Sequence, residues 1–285
     1  MFLANLFKSE IISCDSRQFY KDIKIGTSIP CKKYLKKIKH HFIGHLNFKK
    51  NNDYNIFKFE NDVLKIMKKL FNKYNIIFMV GGSCLYEKSI IEGINYIPKI
   101  NTKKKLIYRN KQNKKQLKYL LKKIKKEDYN FYKNLKNKKD KRKIIRALEI
   151  KKFTKKKFSY FLKKNNKKKR PFNKYIRIGL ITDRKKIYKI INNKVDIMIK
   201  KGLIEEVKKN YNNKKLISLN IIGYKELLPY IYGKKKLNNC IDQIKKNTRN
   251  YAKRQITWFK KYKDIIWFNP KNKQKIVKYI NLIKK

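Results

Sequence analysis

The stretch Ser9–Pro30, SEIISCDSRQFYKDIKIGTSIP, decides how this chain folds. Ile11 and Ile12 begin an apolar run that breaks off at the polar cluster Asp15-Ser16-Arg17-Gln18, and the aromatics Phe19 and Tyr20 follow. That order predicts a short strand, Glu10–Cys14, running into a loop with a carboxylate at the strand's end. Loops at the carboxyl ends of strands are where open α/β sheets hold their ligands. Upstream, Met1–Phe7 is apolar but lacks a basic start and is too short for a secretion signal. It reads as a helix feeding the strand.

Downstream, the same pattern returns. Ile76–Val80 is a continuous apolar run, as expected of a buried parallel strand over Asn75–Val80. It stops at Gly81-Gly82-Ser83, and a helix restarts at Leu85. Such a turn presents backbone N–H groups and a hydroxyl at a helix N-terminus, although a Gly-Gly-Ser turn is often no more than a tight connection. A helix is expected over Ile56–Lys73, a further strand over Ile176–Ile181, and helices over Lys185–Lys201, Ile204–Asn210 and Cys240–Tyr262. Between Gly93 and Gly179 there is no glycine, and Pro98 and Pro171 bracket nearly the same interval. Inside it Leu117, Leu120, Leu121 and Ile124, then Ile144, Ile145, Leu148 and Ile150, recur at helical spacing among lysines. The fold class is therefore α/β: a parallel-sheet core, residues 1–98 and 173–285, with an inserted all-helical domain, residues 99–172.

The chain has 285 residues, of which 41% are hydrophobic and 13% aromatic, enough for a core despite 35% charged residues. A net charge of +61 suits a polyanion such as nucleic acid. Heavy use of Lys, Asn and Ile throughout is also what AT-rich coding produces, so the charge alone supports RNA weakly. The four cysteines, Cys14, Cys31, Cys84 and Cys240, form no C-x-x-C pair, which argues against a zinc site or a disulfide framework and for a reducing cytoplasm. No apolar run reaches the length of a membrane span. A cytoplasmic monomer without membrane attachment is expected.

Several residues could carry chemistry. Asp15 reads either as a cap or solvated loop residue or as a general base that takes a proton from an incoming amine. Ser16, Arg17 and Gln18 beside it suit a base edge or a phosphate. Arg142 and Arg146 stand four apart on one helix face, with Ile144, Ile145 and Leu148 on the buried side, and fit either phosphate contact or a solvated basic face. In Thr248–Lys260 aromatics alternate with Arg and Gln, which suits splayed RNA bases and equally suits an ordinary amphipathic helix. His40, His41 and His45 match no zinc motif and read as structural.

Taken in order, these pieces resemble the tRNA dimethylallyltransferases, the isopentenyl-transferase family. The Ser9–Pro30 stretch is similar to the segment around that family's catalytic aspartate. His40-His41-Phe42-Ile43, the run from Asp53-Tyr54-Asn55-Ile56 to Phe59, VGGSCLY (80–86), RKIIRALEI (142–150), IGLITDRKKIY (178–188), VDIMIKKGLIEEV (195–207), IGYKEL (222–227) and TRNYAKRQITWFK (248–260) follow in register. The resemblance implies a P-loop-type core with a helical insertion that grips tRNA. It implies transfer of a dimethylallyl group from dimethylallyl diphosphate to N6 of the adenosine 3′-adjacent to the anticodon, with release of diphosphate. Asp15 would be the base, and Ser83 would stand where the family has a threonine near the reacting centre. Contacts to the tRNA anticodon stem-loop would come from Asp15, Ser16, Arg17, Gln18, Arg142, Lys143, Arg146, Gly223, Tyr224, Lys225, Arg249, Lys253, Arg254, Gln255, Trp258 and Lys260. Mg²⁺ would help neutralise the leaving diphosphate, and no metal ligand is identifiable in this chain.

The sequence also departs from the family. G-x-x-x-x-G-K-[ST] occurs nowhere in it, and the resemblance places that diphosphate-gripping loop before Glu10. The expectation is a polypeptide that begins downstream of its first strand and P-loop. Arg184 and Lys194 would then be the residual diphosphate contacts, and turnover would be lost without the missing half. Gly44, Ile190 and Lys194 replace an aspartate and two arginines. Two other readings stay open: a tRNA-binding remnant without catalysis, and an adenylate isopentenyltransferase, against which the tRNA-contact segments argue.

Overall fold

In the computed structural model of the chain, the described residues are 1–47, 54–98, 100–163, 169–211 and 221–284. Asp53, part of one family-like segment, and residue 99, the expected start of the insertion, lie outside them. Two compact units result: Met1–Ile91 with Arg170–Lys285, and Glu92–Lys169.

The larger unit opens with α1 (Phe2–Leu6), β1 (Ile11–Ser13), α2 (Lys32–Lys37), β2 (His40–His41), α3 (Ile56–Phe71), β3 (Phe78–Val80) and α4 (Cys84–Ile91). Strand β1 lies in the middle of a parallel sheet of order β2-β1-β3. Ile11 pairs with His40 and Phe78, and Ser13 with Val80. All three β1 residues are buried, as a strand flanked on both sides requires. β3 differs from the sequence expectation. It is parallel, but shorter than the apolar run, and Val80 is 55% exposed. Among the described residues it has a strand on one side only. Helix α3 starts where Asn55 accepts hydrogen bonds from Phe57 N (2.9 Å) and Lys58 N (3.2 Å). Phe59, Val63, Leu64, Met67 and Leu70 then fall on one buried face. The Phe19 ring stacks on Phe59 with centroids 5.2 Å apart, in a core with Ile12, Ile23 and Ile90. Each such fully buried side chain stabilises the fold by about 1.5–3 kcal/mol. This fixes the chain on both sides of the Asp15 loop.

The smaller unit is all-helical: α5 (Thr102–Asn113), α6 (Leu117–Glu127), α7 (Tyr129–Lys133), α8 (Lys141–Thr154) and α9 (Phe158–Lys163). Its core contains Leu120 and Ile124 from α6, Phe131 from α7, and Ile144, Ile145 and Leu148 from α8, the positions that the helical spacing picks out. Asp128 is fully buried; it caps α7 by accepting from Phe131 N (3.2 Å) and holds α9 by accepting from Ser159 N (2.8 Å). Glu149, also fully buried, accepts from both Arg109 and Arg146.

The chain returns to the larger unit at Arg170, which donates to the buried Glu60 carboxylate (2.7 Å) and to Ser89 O (3.1 Å). β4 (Arg177–Leu180), α10 (Arg184–Lys200), α11 (Leu203–Tyr211), α12 (Tyr224–Ile231), α13 (Leu237–Phe259), β5 (Ile265–Phe268) and α14 (Lys273–Lys284) follow. β4 and β5 form a second parallel pair, in register from Arg177↔Ile265 to Leu180↔Phe268. Parallel strands need a long crossover, which α10–α13 supply. Arg177 on β4 ties this pair to the helix that follows β3 by donating to Glu87 of α4 (2.7 Å). Among the described residues no helix is long and apolar enough to cross a membrane.

Candidate active site

The Asp15 and Ser83 loops leave the carboxyl ends of neighbouring strands, β1 and β3, and meet. Ser16 N donates to Ser83 Oγ (3.1 Å), and the two hydroxyls share a hydrogen bond of 3.2 Å. The approach is close enough to require glycine: a Cβ on Gly81 would stand 2.7 Å from Cys14 C and 2.9 Å from Asp15 N. The Asp15 loop is tied internally. Asp15 Oδ1 accepts from Arg17 N (3.0 Å), and Asp15 N donates to Ser13 Oγ (3.3 Å). Burial pushes the Asp15 carboxyl above its ordinary value, while the Arg17 N–H and the charges of Arg17 and Lys194 pull it back. A half-buried carboxylate with a raised proton affinity, beside two hydroxyls, is suited to take a proton from a neutral amine.

Helix α13 closes the other side. Gln255 Nε2 donates to Gly82 O (2.7 Å), and the Tyr251 hydroxyl lies 3.5 Å from the same oxygen. Burial, then the negative charge of Asp15, raises the Tyr251 phenol. Tyr251 lies within the Thr248–Lys260 run. α10 contributes Lys194, exposed, and a platform at Tyr188: Arg184 Nε donates to its hydroxyl (2.8 Å), and the Arg249 guanidinium lies 5.6 Å from its ring centre. Arg249 also donates to Asn192 (2.8 Å).

The other expected site residues divide into two groups. Lys225, Lys253, Arg254 and Trp258 are exposed on α12 and α13, Lys260 is exposed just past the end of α13, and Arg142 and Lys143 are exposed on α8. Arg146 is half-buried and held by Glu149. By contrast, Gln18, Gly223 and Tyr224 work inside the protein. Gln18 Oε1 accepts from Ser13 Oγ (3.2 Å), and its Nε2 donates to the carbonyls of Thr27 and Ser28 (3.3 Å each). Gly223 N donates to Glu226 (2.7 Å) at φ +102°. Tyr224 is 3% exposed, and its hydroxyl donates to Glu206 (3.0 Å). The histidines are likewise structural: His41 bonds Glu10, His40 bonds Ile38 O, and His45 packs edge-on against Phe19 and Phe42.

A parallel α/β core whose two strand-end loops bring a carboxylate and two hydroxyls together, with a basic helical unit inserted between its halves, defines the class of protein. The family model for IPP transferase matches residues 18–262, and the chain belongs to the IPP transferase family. It is 44% identical to the tRNA dimethylallyltransferase of Christiangramia forsetii over 98% of this chain and 91% of that protein. It is 37% identical to tRNA dimethylallyltransferase 1 of Bacteroides fragilis, with the same coverage of each. Among solved structures, it is similar to the tRNA isopentenylpyrophosphate transferase of Bacillus halodurans (29% identity, 99% of this chain and 89% of that one, TM-score 0.68). It also matches a eukaryotic dimethylallyltransferase acting on tRNA (25% identity, 94% of this chain and 69% of that one, TM-score 0.73).

Proposed function

We propose that this protein is a tRNA dimethylallyltransferase that prenylates N6 of the adenosine 3′-adjacent to the anticodon. The observation that carries the reading is the Asp15 loop, joined to the Ser83 loop at the carboxyl ends of β1 and β3. In the proposed step the N6 nitrogen attacks C1 of dimethylallyl diphosphate. The C1–O bond breaks and diphosphate leaves with the electron pair. Asp15 accepts the proton that the alkylated nitrogen sheds. The adenosine reaches Asp15 by leaving its stack, as a base must when chemistry occurs on its edge. Ser16 and Ser83 offer hydroxyls beside the reacting atoms.

The leaving group needs positive charge or N–H donors. Lys194, whose charge acts on Asp15, and Arg184 and Arg249 around Tyr188 are the cations we assign to that side. Mg²⁺ favours phosphate oxygens and water over an all-protein cage. Among the described residues no three His, Cys, Asp or Glu side chains come together, so these residues form no cage for it. RNA contacts are assigned within each unit separately: Arg142 and Lys143 on α8 of the helical unit, and Lys253 and Arg254 on α13 with Lys260 just past its end in the larger unit, where Trp258 offers a stacking surface.

The test is incubation with labelled dimethylallyl diphosphate and either unmodified tRNA or free adenylate, in parallel. Label on the adenosine beside the anticodon supports the reading. Label on free adenylate but not on tRNA overturns it, and tRNA binding without transfer limits this chain to the acceptor half of the reaction.

A further inference from the structure

The molecule contains a second anion-binding arrangement, and its own side chain occupies it. Lys24 N (2.8 Å), Ile25 N (2.8 Å) and Gly26 N (2.9 Å) all donate to the carboxylate of Glu206 on α11. Successive N–H groups converging on one point make a nest, and hydrogen bonds to a charged acceptor are about twice as strong as neutral ones. Tyr224 OH donates to the same carboxylate (3.0 Å), and Asn210, one turn further along α11, donates to Asp22 O (2.8 Å). A Cβ on Gly26 would lie 2.7 Å from the Tyr224 ring, so the segment sits tightly against α12.

The held segment reaches the candidate base in three links. Thr27 and Ser28 present their carbonyls to Gln18 Nε2. Gln18 Oε1 takes the Ser13 hydroxyl, and Ser13 Oγ takes Asp15 N. We infer that Glu206 is a positioning residue: it clamps residues 24–26 so that Gln18 holds the Asp15 loop in place at the end of β1. Glu206 touches no reacting atom and acts through the loop. The inference rests on the reading of Asp15 as the base, and it deepens that reading by naming what fixes the base from the far side of the core.

Glu206→Gln is the informative change. Both carboxylate oxygens accept hydrogen bonds, so either orientation of the amide turns an NH₂ toward an N–H or O–H donor. Hydrogen exchange needs no catalysis and reads the clamp directly. In Glu206→Gln, exchange should rise tenfold or more at Lys24–Gly26 and also at Asp15–Gln18, while the α8 amides stay unchanged. Gln18→Ala should loosen Asp15–Gln18 and leave Lys24–Gly26 protected. It also provides the test if Glu206→Gln fails to fold. For transfer to saturating tRNA, kcat should fall tenfold or more in Glu206→Gln, with the tRNA Kd within threefold, and Glu206→Asp should recover part of the loss. In the Gln18→Ala background Glu206→Gln should cost nothing further, since the two lie on one path. Unchanged exchange at Asp15–Gln18, or additive losses in the double variant, overturns the inference. Failure of the unsubstituted protein to modify tRNA overturns the proposed function and leaves the exchange result to decide the clamp.

Discussion

Asp15 is held between opposing influences: burial raises its proton affinity, and the Arg17 N–H with the charges of Arg17 and Lys194 lowers it, with burial the larger. The base works only when deprotonated. Transfer should therefore fall on acidification through a midpoint above that of a free aspartate, about 3.9. A single-turnover pH profile measures it, and Lys194→Ala should move the midpoint up because one stabilising charge is gone. Asp15→Asn should lower transfer by about 10²-fold or more while tRNA binding persists. Asp15 was legible in the sequence because a carboxylate stood where an apolar run broke off, and Ser83 because a glycine pair preceded it. Glu206 was not. Its partners are 180 and more positions away, and no spacing rule joins an acid near a helix start to three backbone N–H groups. The internal roles of Gln18 and Tyr224 were hidden similarly, because side-chain type says nothing of which way a polar group turns.

At the level of elements, the site depends on two turns passing within van der Waals distance. Gly81→Ala should force β3 and the Asp15 loop apart and cost about 1–3 kcal/mol, as overpacking does. Denaturant unfolding reads the cost, and transfer should fall with it. In the helical unit Glu149 holds Arg146 and Arg109 from a fully buried position. Glu149→Ala should remove about 1–3 kcal/mol of charge-assisted hydrogen bonding and weaken tRNA binding by freeing Arg146; calorimetry and a binding titration check the two effects. α3, α6, α8, α10 and α13 were readable because apolar residues repeat at helical spacing. α12 was not, since Pro229 lies inside it and reads as a breaker. β3 was read as buried because its run is wholly apolar. Which strands flank it is a property of the sheet, which the run itself does not encode.

For the whole molecule, tRNA binding should weaken with salt at a slope set by the number of phosphates contacted, not by the net charge of +61. Removing one phosphate contact, as in Arg142→Ala, should lower the slope of log K against log salt by about one. Lysines carrying only compositional charge should leave that slope unchanged, which separates binding surface from coding bias in a way that sequence counting does not. As the proposed base, Asp15 should meet the N6 amine of the adenosine next to the anticodon. A binding cycle tests it without reference to the diphosphate. tRNA with that adenosine is compared with tRNA carrying purine riboside there, which lacks the amine, on the unsubstituted protein and on Asp15→Ala. The adenosine form should bind about tenfold tighter, about 1.4 kcal/mol, with no preference once Asp15 is removed. An equal preference in both proteins would contradict it.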